Sequence, residues 1–447
     1  MGAYLTIAFR NMLQAKRRTI LLTLALSIVT MLLMIMLSVS QGLSETMIRN
    51  ATAISSGHVN VAGFYKSKPT EAWPMITGVD KIRKIAEENT PGLDHIVDRD
   101  RAWAKIISDR HSFYASPSGI DIEDETRLPE VLKLAKESEY KEGGRDEVFG
   151  DLSKLSQKHS ALIFVSQAKR LGVEVGDYLT ITAPTGSGRT NTLDVTVAAI
   201  AKDFGYMSNW NLFLPKEDIH ELYQTKPDSS SVVMIYLKDP SKAEEVMGHL
   251  REVYKKAGYR LMDHQPAPFF FKFETVAGED WTGQKLDLTI WSDEISFLSW
   301  VTTALDGISF SLIGVLMVII AVGIMNSMWI SVRERTQEIG TVRAIGMTRS
   351  KVLMMFLSEM LLLGLFATTL GSLAGAWISL AIDAAAWEIS NEAIKAIMMS
   401  DVLHMSVTPW QVVHVIWIFT LITGLSAIWP ASRAARMQPV TAIHHAG

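Results

Sequence analysis

Four apolar runs divide the chain. They cover residues 19–39, 307–332, 360–382 and 410–432, and none of them contains Asp, Glu, Lys or Arg. Each reaches the roughly 20 residues that an α-helix needs to cross the hydrocarbon core of a bilayer. The first follows Lys16-Arg17-Arg18, as a signal peptide would, but its apolar run is long and no small-x-small cleavage pattern follows, so it reads as an uncleaved anchor. Between the first two runs the pattern changes. Residues 58–62, 103–107, 112–115, 161–165, 178–183, 193–200 and 232–237 alternate or run apolar over strand lengths, and 79–89, 166–171 and 241–256 carry helical spacing. The first run is expected to continue as a helix to about Thr52, where Ser55-Ser56-Gly57 breaks it. Residues 281–305 read as one amphipathic helix, with Ile295, Leu298, Val301 and Leu305 on one face, leading as a stalk into the second run. The densely charged stretch 123–160, with Gly143-Gly144, predicts helices joined by a turn.

The fold class is therefore an α-helical membrane protein with four transmembrane helices and a large α+β extracytoplasmic domain. Residues 3–18 place Leu5, Ala8, Phe9, Met12 and Leu13 on one helical face with basic residues opposite, the signature of a helix lying in the membrane interface. The expected organisation is 1–18 cytoplasmic interfacial helix, 19–52 first span and outward stalk, 53–280 extracytoplasmic domain and 281–332 stalk and second span. A cytoplasmic segment at 333–359, the third span at 360–382, an outer loop at 383–409, the fourth span at 410–432 and a tail at 433–447 follow. Orientation comes from the Lys/Arg bias of the short flanking segments. Arg10, Lys16, Arg17 and Arg18 precede the first span, Arg333, Arg335, Arg343, Arg349 and Lys351 separate the second from the third, and Arg433 and Arg436 follow the fourth. Both termini are thus expected in the cytoplasm and the large domain outside, with that domain net acidic.

Composition removes several alternatives. With no cysteine there is no disulfide framework, thiol nucleophile or thiolate metal site. A net charge of −4 argues against nucleic acid as a partner. Pro184-Thr-Gly-Ser-Gly-Arg-Thr190 lacks the first glycine and the lysine of a phosphate-binding loop and reads as a hairpin turn. No histidine or carboxylate spacing announces a catalytic or metal site; His111 and His159 stand among charged neighbours, and His444-His445 reads as tail. No cofactor is expected in this chain.

The most informative stretch is Arg333-Glu-Arg-Thr-Gln-Glu-Ile-Gly-Thr-Val-Arg-Ala-Ile-Gly346, a charged, helix-compatible segment between two spans. It resembles the inter-span motif of FtsX-like ABC transporter permeases. Ala8-Phe-Arg-Asn-Met-Leu13 and Trp429-Pro-Ala-Ser-Arg-Ala-Ala-Arg-Met-Gln-Pro-Val440 are similar to that family's opening and closing signatures. Gly57-His-Val-Asn-Val61, Gly119-Ile-Asp121 and Ala168-Lys-Arg-Leu-Gly-Val-Glu-Val-Gly-Asp177 resemble its lipoprotein-releasing, LolC/LolE-type branch. Residues 123–158 and 260–285 match nothing in that pattern.

The resemblance implies a permease of the bacterial inner membrane. It would work as a dimer with a second copy or a paralogue and be driven by a separate cytosolic ABC ATPase that binds the ATP and Mg. It implies that Arg333, Glu334, Arg335, Glu338, Ile339, Gly340, Arg343 and Gly346 couple to that ATPase, with Glu334 and Glu338, acids in a basic loop on adjacent turns of one helix, as anchors. It implies mechanotransmission: nucleotide-driven closure moves the stalks and the outer domain. The substrate would be a lipoprotein, held by Met31, Met34, Ile35, Val39, Phe310 and Ile313 between the first two spans and passed outward to a periplasmic carrier or adaptor. MacB-like efflux of another amphiphile and FtsX-like signalling without transport are the alternatives.

Overall fold

The computed structural model describes residues 8–12, 14, 16–185, 188–296, 299–391, 394–395 and 398–438. Leu5 and Leu13 of the interfacial helix, part of the 184–190 turn, Leu298 and the end of the closing signature with His444-His445 lie outside these residues. Residues 8–12 are helical. The chain forms two compact units: one of residues 1–45, 301–389 and 402–447, the other of 46–300 and 390–401.

The first unit holds long apolar helices. Lys16–Ile54, Ser299–Glu334, Arg349–Ala384 and Pro409–Arg436 are the four whose length and hydropathy suit a membrane span. In hydrocarbon, helices gain little from burying apolar surface against one another, so close contact falls to small residues. The third long helix carries these. A Cβ on Gly375 would lie 2.7 Å from the Met31 carbonyl oxygen and 2.8 Å from the Met34 Cβ, and one on Gly371, a turn away, would collide with Ser27 and Thr30 of the first helix. Ser27 Oγ donates to the Ala367 carbonyl at 2.8 Å on the same line of contact. Gly364 gives room to Thr423, and Gly424 of the fourth helix gives room to Leu361. Leu33, Met34, Ile324, Met328, Phe356 and Phe419 fill the core, whereas Leu24, Phe310, Val318, Leu373 and Trp417 are exposed, as lipid-facing side chains are.

The second unit is built on strands β1 (Val59–Lys66), β2 (Ile76–Thr77), β3 (Leu93–Arg101), β4 (Ala104–Ile107), β5 (Ser112–Ile120), β6 (Ser160–Phe164), β7 (Tyr178–Pro184), β8 (Thr190–Ala201), β9 (Asn211–Pro215), β10 (Ser229–Ser230), β11 (Val232–Leu237) and β12 (Gly283–Ile290). Ten of them form one sheet in the order β12-β1-β11-β3-β5-β4-β7-β8-β6-β9, and β5 also pairs with β9, so the last six strands close on themselves. A first core, with Val61, Ile235, Leu250 and Tyr254, lies between β1, β11, β12 and the helices Val79–Asn89 and Ala243–Lys256. A second, with Ile106, Ile163, Ile181 and Leu214, fills the closed part. β2 and β10 pair separately.

Several expectations change. Residues 281–305 are not one helix. β12 pairs with β1 along its whole length, Val59 opposite Ile290 to Lys66 opposite Gly283, and the helix Ser299–Glu334 starts later. The period-two spacing of Leu286, Leu288 and Ile290 is the pattern of this strand. Residues 123–160 hold only the short helices Leu128–Val131 and Glu137–Tyr140 and a 3-10 turn at Leu152–Ser156; ion pairs such as Lys141–Glu137 and Arg145–Glu137 hold the turns between them, and Leu128, Tyr140 and Leu155 are buried. β3, β9 and the helix Lys216–Tyr223 are further elements beyond those expected from the sequence.

Filling the notch at Gly375 tests the helix packing. Gly375→Val forces the first and third helices apart and is expected to destabilise the protein by about 1–3 kcal/mol. Gly323→Val, where nothing lies within 4 Å, is the matched control. Thermal unfolding in detergent should show a lowered midpoint for the first variant alone; equal midpoints would refute this packing.

Candidate functional site

The segment after the second long helix is a break, a short helix and a sharp turn. Arg335 leaves helical geometry, with φ −109° and ψ 16°, and the helix Thr336–Ala344 follows. Thr336 Oγ1 donates back to the carbonyls of Val332 and Arg333 across the break. The short helix closes with Gly346 N donating to the Arg343 carbonyl and Met347 N to that of Val342, with Gly346 at φ 105°. This pairing of bonds needs a left-handed residue just past the helix, the conformation glycine adopts without strain.

Around the break, charged groups form a chain. The Glu359 carboxylate, 2% exposed, takes Arg18 Nη2 at 3.3 Å and Arg335 Nη1 at 3.1 Å. Arg18 also reaches Glu334 at 3.4 Å, and Arg335 reaches Glu338 at 3.2 Å. The order is Glu334–Arg18–Glu359–Arg335–Glu338, with a buried acid at the centre and exposed acids at the ends, 61% and 70% exposed. Three carboxylates against two guanidiniums leave the chain net negative, and the excess lies at its solvent ends. Just past the short helix Ile345 is 82% exposed, an apolar side chain offered to solvent.

The expected coupling residues thus divide. Glu334 and Glu338 flank the break and belong to two helices, which corrects their placement on adjacent turns of one. Arg335 joins Glu338 to Glu359. Ile339 and Gly340 are buried and pack the short helix down, Arg333 is exposed, and Arg343 Nη1 donates to the Ala435 carbonyl at the end of the fourth long helix, where a cation favours the dipole. In the sequence Arg18 counts only towards orientation, and Glu359 carries no assigned role. A lone acid heading an apolar run was the available signal for Glu359.

The six residues assigned to a substrate groove do not share one open surface. Met34 is fully buried against Gly375, so it belongs to the helix core, and that corrects its assignment. Met31, Ile35, Val39 and Ile313 are half-buried, and Phe310 is 80% exposed. In the other unit His159 is not isolated. Its Nε2 lies 3.4 Å from Glu221, and its backbone N–H donates to Asp218, whose carboxyl burial pushes up to about 6.

A second cluster grips the end of the first long helix, whose residues from Thr46 onward belong to the second unit. Its final carbonyls are buried, and side chains take them. Tyr236 OH donates to the Thr52 carbonyl at 2.9 Å, Arg99 donates to those of Ala53 and Ile54, each at 2.8 Å, and Arg101 Nη2 donates to that of Ser55 at 3.2 Å. Arg99 is itself fully buried and paired with Glu125 at 2.5 Å. His58 lies against Tyr236, and its Nδ1 accepts from Leu237 N at 2.9 Å, so the neutral ring carries its proton on Nε2. Burial, then the Arg127 charge 3.3 Å away, lowers its pKa to about 4.

The family described as FtsX-like permease C-terminal matches residues 310–439, and the one described as MacB-like periplasmic core domain matches 19–253, more than half the chain. The chain belongs to the FtsX-like ABC transporter permeases. It is a permease with four transmembrane helices and a MacB-like α+β domain outside the membrane. The lipoprotein-releasing system transmembrane protein LolC of Haemophilus influenzae is 24% identical over 285 residues, 62% of either chain. An uncharacterized ABC transporter permease of Methanocaldococcus jannaschii is 21% identical over 98% of this chain and 96% of its own. The macrolide export ATP-binding/permease protein MacB of Chlorobium luteolum is 33% identical over 28% of this chain. The match therefore spans 62% of LolC and 16% of MacB.

Two outcomes follow for the permease. Glu359→Ala leaves Arg18 and Arg335 without their shared buried partner and is expected to cost about 3 kcal/mol. A double-mutant cycle with Arg335→Ala, read by thermal unfolding in detergent, should return a coupling energy above about 1 kcal/mol; additivity would refute the pairing. His58 binds its proton in the unfolded chain near pH 6.5 but in the folded one only near 4. Its contribution is thus complete above 6.5 and lost as pH falls towards 4, by up to about 3 kcal/mol. The stability difference between the parent and His58→Asn should change across that window and be flat above it; a flat difference throughout would overturn the assignment.

Proposed function

We propose that this permease extracts lipoproteins from the outer leaflet of a bacterial inner membrane, driven by a separate cytosolic ATPase. The observation that carries the coupling half is the pair of exposed acids at the break, Glu334 ending the second long helix and Glu338 on the short helix, with the exposed apolar Ile345 just past that helix, in a segment expected to face the cytoplasm. ATP and Mg belong to the ATPase in this reading, and two permease copies, or one with a paralogue, form the membrane part with both termini inside. Similarity to LolC over 62% of the chain supports lipoprotein release. The first long helix, unbroken from Lys16 to an end held by Arg99, supports mechanotransmission to the outer domain. The match to a MacB-like core domain favours a second reading, export of another amphiphile, and signalling without transport is the third. Acyl chains enter beside Ile35, Phe310 and Ile313, and a periplasmic carrier or adaptor receives the product.

Reversing the acids tests the coupling. Glu334→Lys with Glu338→Lys should lower co-purification of the cognate ATPase at least tenfold, with membrane insertion unchanged. Full recovery of the complex would refute it. For the substrate, photo-crosslinkers at positions 35, 310 and 313 should trap lipoproteins in cells and release them on ATP addition to isolated membranes. Adducts to the permease alone, with lipoproteins abundant, would leave signalling as the better reading.

A further inference from the structure

The second unit contains an open cavity of about 1260 Å³. Ligand pockets for drug-sized molecules run to about 300–1,000 Å³, so this one suits a longer occupant. Its aromatic walls come from segments far apart in the chain: Trp73 after β1, Trp103 just before β4, Tyr114 on β5, Trp210 before β9 and Phe270 in the segment leading to β12. Trp103 and Tyr114 are stacked with centroids 6.4 Å apart, yet they are 59% and 62% exposed, and Phe270 is 49% exposed. Large aromatic side chains clustered in the open around a concavity mark a binding surface.

The charges lining the cavity fix the kind of ligand. Arg101 is paired with Glu294 at 3.3 Å and stacks on Phe269, and Asp100 is paired with His220 at 2.8 Å. Lys105 and Arg170 are different: among the described residues neither has a carboxylate within ion-pair distance. Lys105 sits in the register between Tyr114 on β5 and Thr182 on β7, and Arg170 stands over Phe113 from the helix Val165–Leu171. With the Arg101–Glu294 pair matched, the cavity is an apolar aromatic trough in which two unpaired cations, Lys105 and Arg170, outnumber the one remaining acid, Asp100, which lies 2.8 Å from His220. We propose that it binds an anionic amphiphile, with the acyl chain along the aromatic walls and the acidic headgroup at Lys105 and Arg170. This deepens the transport reading by placing a substrate subsite in the outer domain, and it requires no ATPase.

The test uses the full chain in nanodiscs of zwitterionic lipid. The probe is a long-chain fatty acid with a terminal diazirine, and adducts are mapped by peptide mass spectrometry. Labelling is expected on peptides carrying Trp103, Tyr114 or Phe270, and excess oleate or dodecyl phosphate should displace it while dodecyl maltoside does not. Lys105→Gln with Arg170→Gln should reduce it at least fivefold, with an unchanged circular dichroism spectrum and thermal midpoint. Trp103→Ala with Phe270→Ala should reduce it independently. Adducts confined to the membrane helices, equal competition by dodecyl maltoside, or undiminished labelling of the Lys105/Arg170 variant would overturn the proposal. The Glu334→Lys/Glu338→Lys variant should label like the parent, so a failure of coupling and a failure of this site give separate signatures.

Discussion

A helix that ends inside a protein leaves its last carbonyls without intrahelical donors, and burying them unpaired costs more than the helix gains from its final turn. The first long helix meets this constraint at Thr52 to Ser55. It is met by side chains of the surrounding domain, Tyr236, Arg99 and Arg101. Two guanidiniums facing the negative end of the helix dipole also suit its electrostatics. Much else follows. A fully buried arginine needs a counter-charge, so Glu125 must be brought in from the segment after β5; it is 6% exposed. Arg99 and Arg101 must point from the same strand, so β3 carries charges where a core strand usually carries valines.

The same chemistry operates in the other unit, where Glu359 joins Arg18 before the first span to Arg335 after the second. Such networks add little net stability, because desolvation offsets most of the attraction, but a misplaced partner leaves a buried charge alone. They therefore act on geometry, penalising arrangements in which the chain ends of these helices drift apart. Gly371 and Gly375 do the complementary work along the helix, where contact distance is set by the absence of a side chain. One device fixes the helix ends and the other the spacing of their shafts.

These devices also explain what could be read from the sequence. Long apolar runs and alternating strands are local patterns, so the four long helices and strands such as β1, β8 and β11 were legible. β3 was not, since Asp94, Asp98, Arg99, Asp100 and Arg101 hide its period, and the burial of Arg99 and Asp100 depends on partners elsewhere in the chain. β12 was lost because its alternation runs straight into helical spacing at Ile295. In the coupling segment the residue types were visible in a run of 14, but the buried centre of its charge chain was not. Arg18 and Glu359 are 341 positions apart, and a single sequence contains no sign of their meeting. Met34 was misread for the opposite reason: an apolar residue in a span carries no mark distinguishing helix core from lipid face, and only Gly375 on a neighbouring helix decides it.

The anchored helix end also bears on how the proposed ATP-driven cycle could work. A helix resists bending and stretching well, but it transmits displacement only as faithfully as its end is held. Water-capped carbonyls exchange partners readily and would let the end fray. Here three side chains grip four successive carbonyls, and each gripping residue is tied into the sheet: Arg99 and Arg101 through β3, Tyr236 through β11, the two strands being paired from Val232–Arg99 to Leu237–Leu93. To slip by one residue the helix would have to break four hydrogen bonds together, three of them to the charged guanidiniums of Arg99 and Arg101, individually worth about 1.5–3 kcal/mol. Fraying one bond at a time is blocked because Arg99 spans two carbonyls and Glu125 holds it from behind. Movement of the helix is then more easily accommodated by displacing the β3–β11 pair as a body than by loosening the grip, which is the property a transmission element requires.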